Sequence, residues 1–388
     1  MKKVIHFIRK KSHLKASFIQ NQIVNHINYE PYVVFRQKQK NNIIDGGFAR
    51  DLGKNIEILN LGEKESFFER IIFRYLKRLS KKQKTNLHQK IKEIQPNILH
   101  FHYGTDAGIY LKTLKNFHIP KVVSFYGYEC SGFPKRFWGF GKKYLQTRVY
   151  RYADKIFAMS PDMKKDIIAT GCPEDKIIIH YHGSNVNHFK QNHEYQKKGH
   201  INFLIISGFV PQKGHIFLLR AFAKAYKKNP DIRLTIVGAG ELESKIKQTI
   251  QELNLEDIVK MPGPVIYGSE EHKNYFKTHD VFIHPSLTDI NGDKEGIPGA
   301  IIEAMAAGLP VISTYHAGIP YVIENKKAGL LVQEWDIEQL SESILSLANS
   351  NALRQNYGQE AQKYALAHLD LYKKEQELED IYRMLEKK

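Results

Sequence analysis

The sequence has few cysteines and no long apolar segment. Only Cys130 and Cys172 occur among its 388 residues, which excludes a disulfide framework or a cysteine-rich zinc finger and favours a reducing compartment. No apolar run approaches the ~20 residues that a membrane-spanning helix needs. The first apolar run, Val4–Ile8, is too short for a signal peptide and predicts a buried strand. We therefore expect a cytoplasmic protein that is not integral to a membrane.

Patterns typical of metal sites are also missing. The sequence contains no Asp-x-Asp motif, and no pair of histidines or cluster of cysteines has the spacing of metal ligands. We therefore expect no metal site, no cofactor and no requirement for a divalent ion.

Acidic residues are scarce in the first half of the chain. Residues 1–190 contain 35 Lys and Arg but 15 Asp and Glu, whereas residues 191–388 contain 23 and 26, so the whole positive excess lies in the first half. This asymmetry indicates an anionic partner, either lipid headgroups or nucleic acid, although a lysine-rich surface also favours solubility. Because no nucleic-acid-binding motif accompanies the charge, nucleic acid is the less favoured partner.

One basic stretch also carries aromatic residues at helical spacing. Between residues 67 and 84, Phe68, Ile72, Tyr75 and Leu79 recur every three or four positions among Lys and Arg. This pattern predicts an amphipathic helix that either lies on an anionic membrane or faces the core with a solvated basic back. Periodicity leaves both alternatives open. An anionic membrane surface is a predicted partner, with the protein peripheral on the inner face of the cell membrane.

Short apolar runs alternate with longer amphipathic ones along both halves, which predicts an α/β fold with parallel sheets wound by helices. The predicted strands are Val4–Ile8, Tyr32–Phe35, Ile98–Phe101, Lys121–Phe125, Lys155–Met159, Ile177–His180, Phe203–Ser207, Arg233–Val237, Val281–His284 and Pro310–Ser313. The predicted helices include Ile216–Lys227, Leu242–Leu253 and Pro298–Ala307. The length favours two domains, predicted at 1–190 and 201–365, with a linker at 191–200 and a C-terminal helix at 366–388.

A segment rich in glycine and proline follows the predicted strand Val281–His284. Pro298 suits the first residue of a helix, and Gly308 suits the residue after its end. The unpaired N–H groups at the start of such a helix, around Gly296–Gly299, form a ready anion site.

Two carboxylates accompany this helix start. Glu295 precedes it and Glu303 lies within the helix. An arbitrary pair of glutamates would be solvated surface charges. Here the pair flanks a phosphate-ready helix end, and this arrangement suits a nucleotide sugar, which has hydroxyls on both sides of a diphosphate.

Other candidate residues follow further predicted strands. Lys213, after Phe203–Ser207, can meet a diphosphate as a point charge, and the adjacent Gly214 permits close backbone approach. Gly238 and Gly240 form a weaker glycine-loop match. In the first half, the remaining candidates His102 and Tyr126 lie at or just after strand ends.

The string EGIPGAIIEAMAAGLPVIST, from Glu295 to Thr314, resembles the signature of retaining glycosyltransferase family 4. The longer string NGDKEGIPGAIIEAMAAGLPVISTYHAGIP is similar to the colanic-acid and exopolysaccharide branch, and the resemblance extends over nearly the whole chain. It implies the GT-B fold, in which two doubly wound Rossmann-like domains face a cleft. It also implies that the C-terminal helix crosses back to the N-terminal domain.

The resemblance assigns donor-side roles to the candidates. Glu303 would hold the ribose hydroxyls and Glu295 would lie by the donor sugar. The backbone from Ile297 through Pro298 to Gly299, after Gly296, would contact the sugar and the phosphates. Lys213 and Gly214 match the end of the family loop Gly-Arg-Leu-Val-x-x-Lys-Gly. The family arginine, however, falls on Gly208, so one expected phosphate-binding cation is missing.

The resemblance also implies roles for the weaker candidates. Gly238 and Gly240 would border the base and the nucleotide. The family tends to place a histidine in each loop that faces the acceptor. His102 fits the first position, and Tyr126 stands where the second histidine is common.

We therefore expect retaining, metal-independent transfer of a hexose from a nucleotide-sugar donor to a glycan or lipid-linked glycan acceptor in polysaccharide biosynthesis. An epimerase or phosphorylase on the same fold is the alternative enzyme. Outside enzymes, the alternative is a module that binds nucleic acid or lipid through its basic half.

Overall fold

The chain divides into two compact units. The computed structural model describes residues 1–8, 17–36, 56–62, 65–136, 139–195 and 199–387, so residues 196–198 of the predicted linker lie outside the described part. One unit contains residues 1–183 and 372–388, and the other contains residues 184–371. Within the described ranges, no helix has both the length and the apolar character needed to cross a bilayer.

The first unit is built on a parallel sheet of seven strands in the order β3-β2-β1-β4-β5-β6-β7. These strands are β1 (Lys2–Phe7), β2 (Tyr29–Phe35), β3 (Glu57–Asn60), β4 (Ile98–His102), β5 (Lys121–Ser124), β6 (Lys155–Ala158) and β7 (Ile177–Ile179). Its longer helices are α1 (Ser17–Val24), α2 (Phe67–Leu76), α3 (Lys81–Ile94), α4 (Gly104–Tyr110), α5 (Phe140–Leu145) and α6 (Pro161–Ala169).

The C-terminal helix, Leu371–Glu386, belongs to this unit with all but its first residue. Leu378 and Tyr382 are completely buried in one cluster with Val4, Ile98 and Phe157, which lie on three strands of the first unit. The predicted return of the C-terminal helix to the N-terminal sheet is therefore present. A break at residues 369 and 370 separates this helix from the preceding one.

The second unit contains a parallel sheet of six strands in the order β10-β9-β8-β11-β12-β13. They are β8 (Ile201–Ile206), β9 (Ile232–Val237), β10 (Val259–Gly263), β11 (Val281–His284), β12 (Val311–Thr314) and β13 (Gly329–Val332). The helices are α7 (Val186–Phe189), α8 (His215–Lys228), α9 (Glu243–Glu252), α10 (Glu270–Thr278), α11 (Gly299–Ala306), α12 (Ile337–Asn349) and α13 (Asn351–His368).

Strand order reverses once in each sheet, between β1 and β4 and between β8 and β11. Ligands of doubly wound sheets bind at such reversals, beside the carboxyl ends of the strands. The predicted α/β class and the doubly wound sheets are confirmed.

The unpredicted strands β3, β10 and β13 all lie at sheet edges. Edge strands pair on one side only, so their sequences need less continuous apolar character. The sequence VKMPG of β10, with its lysine and proline, is an example. Helix α11 begins at Gly299 rather than at the predicted Pro298, because Pro298 keeps an extended backbone with ψ 125°.

Candidate functional site

Lys213 and Glu295 meet at the strand reversal of the second unit. Lys213 ends a short turn after β8, and Glu295 lies in the loop between β11 and α11. The Lys213 ammonium forms an ion pair with the Glu295 carboxylate, and both side chains are largely buried. The structure thus brings together two of the three predicted catalytic residues, which are 82 positions apart in the sequence.

Gly214 allows this approach. Its backbone has φ +68°, and a Cβ atom at this position would lie 2.0 Å from the carbonyl oxygen of Pro285. The Leu287 N–H donates a hydrogen bond of 2.8 Å to the Gln212 carbonyl, which holds the loop of Lys213 against the segment after β11. A side chain at residue 214 would therefore push the lysine loop away from β11.

Glu295 is held in its ionised form. Burial raises the pKa of its carboxyl, but the Lys213 charge and the nearby His284 and His316 outweigh that effect and lower the pKa to about 2. The Ser286 hydroxyl also donates a hydrogen bond to this carboxylate. A fixed negative charge next to a fixed positive charge results.

His316 links the Glu295 loop to Glu334. The backbone N–H of Glu295 donates to His316 Nε2 over 3.4 Å, while His316 Nδ1 lies 2.7 Å from Glu334 Oε1. Because Nε2 accepts, Nδ1 must carry the hydrogen that bonds the Glu334 carboxylate. Glu334 also accepts the Thr288 N–H over 2.8 Å.

The sequence reasoning assigned no role to Ser286, His316 or Glu334, although Ser286 lies only two residues beyond a predicted strand. All three orient Glu295 or its loop. Their common signal is a polar residue two positions beyond the carboxyl end of a strand. Ser286 and His316 are buried there, and Glu334 is half-buried.

Helix α11 starts next to this pair in the chain. Ile297 and Pro298 are buried, whereas Gly296 and Gly299 are half-buried. No side chain caps the helix. The first N–H groups are therefore free of side-chain competition and suited to an anion.

Glu303 differs electrostatically from Glu295. It is 5% exposed, and its Oε1 lies 3.6 Å from where a Cβ of Gly299 would be, so the carboxyl group folds back toward the helix start. Burial raises its pKa to about 8, against a smaller opposite effect of a hydrogen bond with Tyr267. His272 Nε2 lies 3.6 Å away, and burial lowers the pKa of that imidazole to about 4. At neutral pH Glu295 is therefore ionised and Glu303 largely protonated.

The glycines after β9 pack against the β8 loop. A Cβ on Gly238, at φ +150°, would lie 1.9 Å from the Ser207 carbonyl oxygen, and one on Gly240 would lie 2.7 Å from the Phe209 carbonyl oxygen. This close packing explains why both positions need glycine. The contact of Gly238 and Gly240 with the nucleotide stays a prediction. By contrast, a Cβ on Gly208 would meet no atom within 4 Å, so a larger side chain would fit there.

His102 and Tyr126 lie together in the first unit. His102 is completely buried, and its Nδ1 lies 2.7 Å from the Tyr126 hydroxyl. Tyr126 is half-buried, with the rings of Phe18 and Tyr103 within 4.8 Å between centroids. The structure thus joins the two residues that were predicted to face the acceptor.

Glu129 is a further buried group near Tyr126. Its carboxylate accepts the backbone N–H groups of Gly104 and Tyr126, both over 3.2 Å, and so links the loops that follow β4 and β5. Burial raises its pKa to about 7, despite these bonds. Its sequence position, five residues after β5, gave no indication of this link.

Comparison with known proteins identifies the family. A model of glycosyl transferases group 1 matches residues 187–364, and a model of glycosyltransferase family 4 matches residues 58–188. The amylovoran biosynthesis glycosyltransferase AmsK of Erwinia amylovora is 32% identical over 66% of this chain and 61% of its own length. A putative colanic acid biosynthesis glycosyltransferase of Escherichia coli, WcaL, is 31% identical over 52% of this chain and 49% of its own length. The chain therefore spans about half to three fifths of the curated relatives it matches.

A solved structure agrees over the full chain. HepE of Anabaena, in complex with UDP, superposes with a TM-score of 0.79 at 16% identity and covers 99% of this chain and 100% of its own. That likeness concerns the fold. The two family models meet near residue 187 and cover most of the chain between them. This chain therefore carries a glycosyltransferase family 4 domain followed by a glycosyl transferases group 1 domain, in the GT-B fold.

Proposed function

We propose that this protein transfers a hexose from a nucleoside diphosphate sugar to a glycan acceptor in exopolysaccharide biosynthesis, with retention of configuration and without a required metal ion. The observation that carries the proposal is the Lys213–Glu295 ion pair at the strand reversal, beside the uncapped start of α11. The names of AmsK and WcaL support the polysaccharide product, and the UDP complex of HepE supports a uridine nucleotide as the first donor to test.

Each group has a distinct task in this proposal. The Lys213 ammonium and the N–H groups from Ile297 and Gly299 stabilise the diphosphate as it leaves. Glu295 fixes the lysine and contacts the donor sugar, and Glu303 binds the ribose hydroxyls. Gly296 and Pro298 shape the loop, while Gly238 and Gly240 border the nucleotide.

The reaction needs no nucleophile from the protein. The acceptor hydroxyl attacks from the face that the diphosphate leaves, through an oxocarbenium-like state. Rate acceleration then comes from positioning and from stabilising the leaving group. His102 and Tyr126 belong to the acceptor side.

The proposal is tested by product analysis. UDP, GDP, ADP and CMP sugars are first ranked by their effect on the melting temperature, and the stabilising donors are then incubated with glycan acceptors. We expect a transferred sugar whose anomeric configuration, by NMR, equals that of the donor. An inverted product contradicts retention, and nucleotide release without any glycosylated product favours the epimerase alternative.

Chelation should leave the activity intact. Lys213 and the helix start supply the positive potential that a divalent ion would otherwise provide. We expect transfer in excess EDTA to proceed at the rate without EDTA. Complete loss of transfer that Mg²⁺ or Mn²⁺ restores would contradict a metal-independent reaction.

We further propose that the acceptor is presented at an anionic membrane surface, to which α2 binds. No residue of α2 is buried. Phe67, Phe68, Ile71 and Tyr75 lie on one side of this helix, and Phe68 and Tyr75 are 74% and 73% exposed. This apolar face differs from the predicted one, because Ile72 is half-buried and Leu79 is buried beyond the end of the helix.

Basic residues accompany the apolar face. Arg70 lies 5.8 Å from the Phe67 ring and Arg74 lies 5.9 Å from the Tyr75 ring, while Lys77 and Arg78 are exposed just after the helix. An exposed aromatic face with an arginine border matches an interfacial helix on anionic lipid. Its charge complements a phospholipid surface, where each basic residue contributes about 1 kcal/mol.

Sedimentation with liposomes tests this surface. We expect the protein to sediment with anionic vesicles at low salt, to stay in solution with neutral ones, and to be released at high salt by screening. Changing Arg74, Lys77, Arg78, Lys81 and Lys82 to Gln should reduce sedimentation and leave UDP binding unchanged. Matched changes of exposed lysines in the second unit, Lys227, Lys228, Lys245, Lys247 and Lys260, serve as the control. Equal loss in both variants would indicate only a net-charge effect.

A further inference from the structure

Three buried histidines of the first unit form a continuous hydrogen-bonded chain. His26 Nε2 lies 2.8 Å from His6 Nε2, and His6 Nδ1 lies 2.9 Å from His102 Nε2. His102 Nδ1 in turn contacts the Tyr126 hydroxyl at 2.7 Å. We call His26, His6 and His102 the histidine chain. It ends on Tyr126, which is half-buried.

The other end of the histidine chain lies on the C-terminal helix. His26 Nδ1 is 2.5 Å from Glu375 Oε1 and 3.5 Å from Glu379 Oε1. Glu379 also accepts the backbone N–H groups of Ile27 and Asn28, at 2.6 Å and 3.0 Å. Both glutamates are almost fully buried. Such burial of two carboxylates requires nearby cations. Arg383 lies 3.8 Å from Glu379 Oε2, and His26 contacts both carboxylates.

A metal ion could also gather histidines and glutamates in this way, but the distances argue otherwise. Two nitrogens that bind one tetrahedral zinc ion at 2.0–2.1 Å lie roughly 3.3 Å apart. The His6–His102 and His26–Glu375 contacts are shorter, and they fit a hydrogen bond and an ion pair. The neighbouring His100 uses both ring nitrogens elsewhere, on Tyr382 and Ser124.

The charge on His26 determines the direction of every hydrogen bond in the histidine chain. When His26 is an imidazolium, both of its nitrogens donate, so His6 must accept at Nε2 and donate from Nδ1. His102 then accepts at Nε2 and donates from Nδ1 to the Tyr126 oxygen. If His26 loses its proton, the hydrogen on Nδ1 remains with the carboxylates, and each later bond reverses. Tyr126 would then donate to His102.

We propose that the histidine chain couples the Glu375–Glu379 pair to Tyr126, because the pair keeps His26 charged and this charge sets the direction of each hydrogen bond. His26 and His6 are thereby positioning residues for the acceptor side of the transfer reaction. This inference rests on the acceptor role proposed above for His102 and Tyr126. It assigns a function to the C-terminal helix, because that helix supplies the two carboxylates that hold the proton on His26.

The pKa shifts of the buried histidines agree with the hydrogen-bond directions that a charged His26 imposes. Burial alone would lower the pKa of His26, but Glu375 and Glu379 outweigh it and raise the pKa to about 9. Burial and the neighbouring histidines hold the pKa of His6 well below its usual value, so His6 relays as a neutral ring. The titratable groups in contact with His26, or close to it, are Glu375, Glu379, His6, His100, Tyr29 and Tyr382, and Arg383 pairs with Glu379 at 3.8 Å.

Histidine-ring NMR on the full-length protein tests the proposal without any substrate. Long-range ¹H–¹⁵N spectra report which ring nitrogen carries the hydrogen, and His102→Gln assigns the His102 signals. We expect His102 to be the Nδ1–H form at pH 7 and to change to the Nε2–H form as pH rises through about 9. His26→Gln cannot ionise, and its amide N–H₂ faces the two carboxylates, so its oxygen accepts from His6 and His102 should take the Nε2–H form at every pH.

His6→Phe and His100→Phe provide a matched pair. Each removes a completely buried imidazole with two side-chain hydrogen bonds, but only His6 belongs to the histidine chain. We expect His6→Phe to destroy the uniform His102 tautomer and His100→Phe to preserve it. With UDP-glucose as donor and octyl glucoside as acceptor probe, His6→Phe should lower kcat/KM for the acceptor about ten- to hundredfold, with UDP affinity unchanged.

Three results would overturn the proposal. They are an Nε2–H form of His102 in the wild type at pH 7, equal kinetic losses in His6→Phe and His100→Phe, and stoichiometric zinc that binds the histidines of the purified protein. Failure of the wild type to transfer a sugar from any of the nucleotide sugars to any acceptor would contradict the proposed function instead, because the NMR measurement does not depend on transfer.

Discussion

Lys213→Ala is expected to lower turnover by a factor of about 100 to 1000, the range found when a single group that stabilises a transition-state oxyanion is removed. The loss should appear mainly in kcat, because the lysine charge matters most as the diphosphate departs. Binding of the uncharged nucleoside uridine should change little. Steady-state transfer assays measure the effect on kcat, and calorimetric titration of uridine and UDP measures the effect on binding.

The structure adds a second reason for a large effect. Removing Lys213 leaves the largely buried Glu295 without its cation, so the pKa of that carboxyl should rise from about 2. Lys224→Ala is the control, because Lys224 also pairs with a glutamate, Glu338, but both side chains are well exposed. Wild-type turnover in a folded Lys213→Ala protein would show that another group stabilises the leaving diphosphate.

Glu303→Gln is expected to weaken UDP binding roughly ten- to hundredfold, since a hydrogen bond to a charged group contributes about 1.5–3 kcal/mol. The burial that raises the pKa of Glu303 to about 8 makes this loss depend on pH. In the wild type, UDP affinity should increase as the carboxyl ionises between pH 7 and 9. The variant should lack that increase, so the difference between the two proteins is largest at high pH.

The same substitution should have the opposite effect on stability. A carboxyl whose pKa is raised in the folded state contributes stability that is present below pH 4.5 and is lost as pH rises through about 8. Glu303→Gln cannot ionise, so at pH 8 to 9 its free energy of unfolding should exceed that of the wild type by on the order of a few kcal/mol. Urea denaturation at pH 5 and pH 9 measures this difference.

An exposed glutamate of the same unit, Glu256, provides the control as Glu256→Gln. It should change neither UDP affinity nor the pH dependence of stability. If Glu303→Gln binds UDP as tightly as the wild type at pH 9, then Glu303 is not in contact with the nucleotide. A stabilised variant with unchanged affinity would assign to Glu303 a purely structural position.

The two substitutions test two glutamates, Glu295 and Glu303, whose surroundings shift the carboxyl pKa in opposite directions. Glu295 gains a cation and three further polar neighbours, Ser286, His284 and His316, whereas Glu303 is buried against Tyr267 and a neutral His272. Ionised and protonated carboxyls thus coexist in one unit. Pairs whose environments push their pKa values apart are common at functional sites.

The amino-acid sequence by itself determined the features that are local in the chain. Apolar periodicity predicted the strands at the centre of each sheet, because a strand buried on both faces needs a continuous apolar run. The glycine, proline and alanine pattern from Glu295 to Pro310 predicted the strand, loop and helix order, since caps and breakers act on their own neighbours. The edge strands β3 and β10 escaped prediction because partial exposure relaxes that pattern, whereas β13 was missed although its four residues are apolar and largely buried.

Only the tertiary structure decided which distant groups meet and which faces stay exposed. The pairing of Lys213 with Glu295 depends on β8 and β11 being neighbours in the sheet, which no local pattern specifies. The histidine chain joins residues from β1, β4, the segment after α1 and the C-terminal helix, and each of these histidines looks structural by itself. Periodicity predicted an amphipathic α2 but not its orientation. The exposure of Phe68 and Tyr75 follows from packing, because the rest of the fold covers α2 only in part and buries none of its residues.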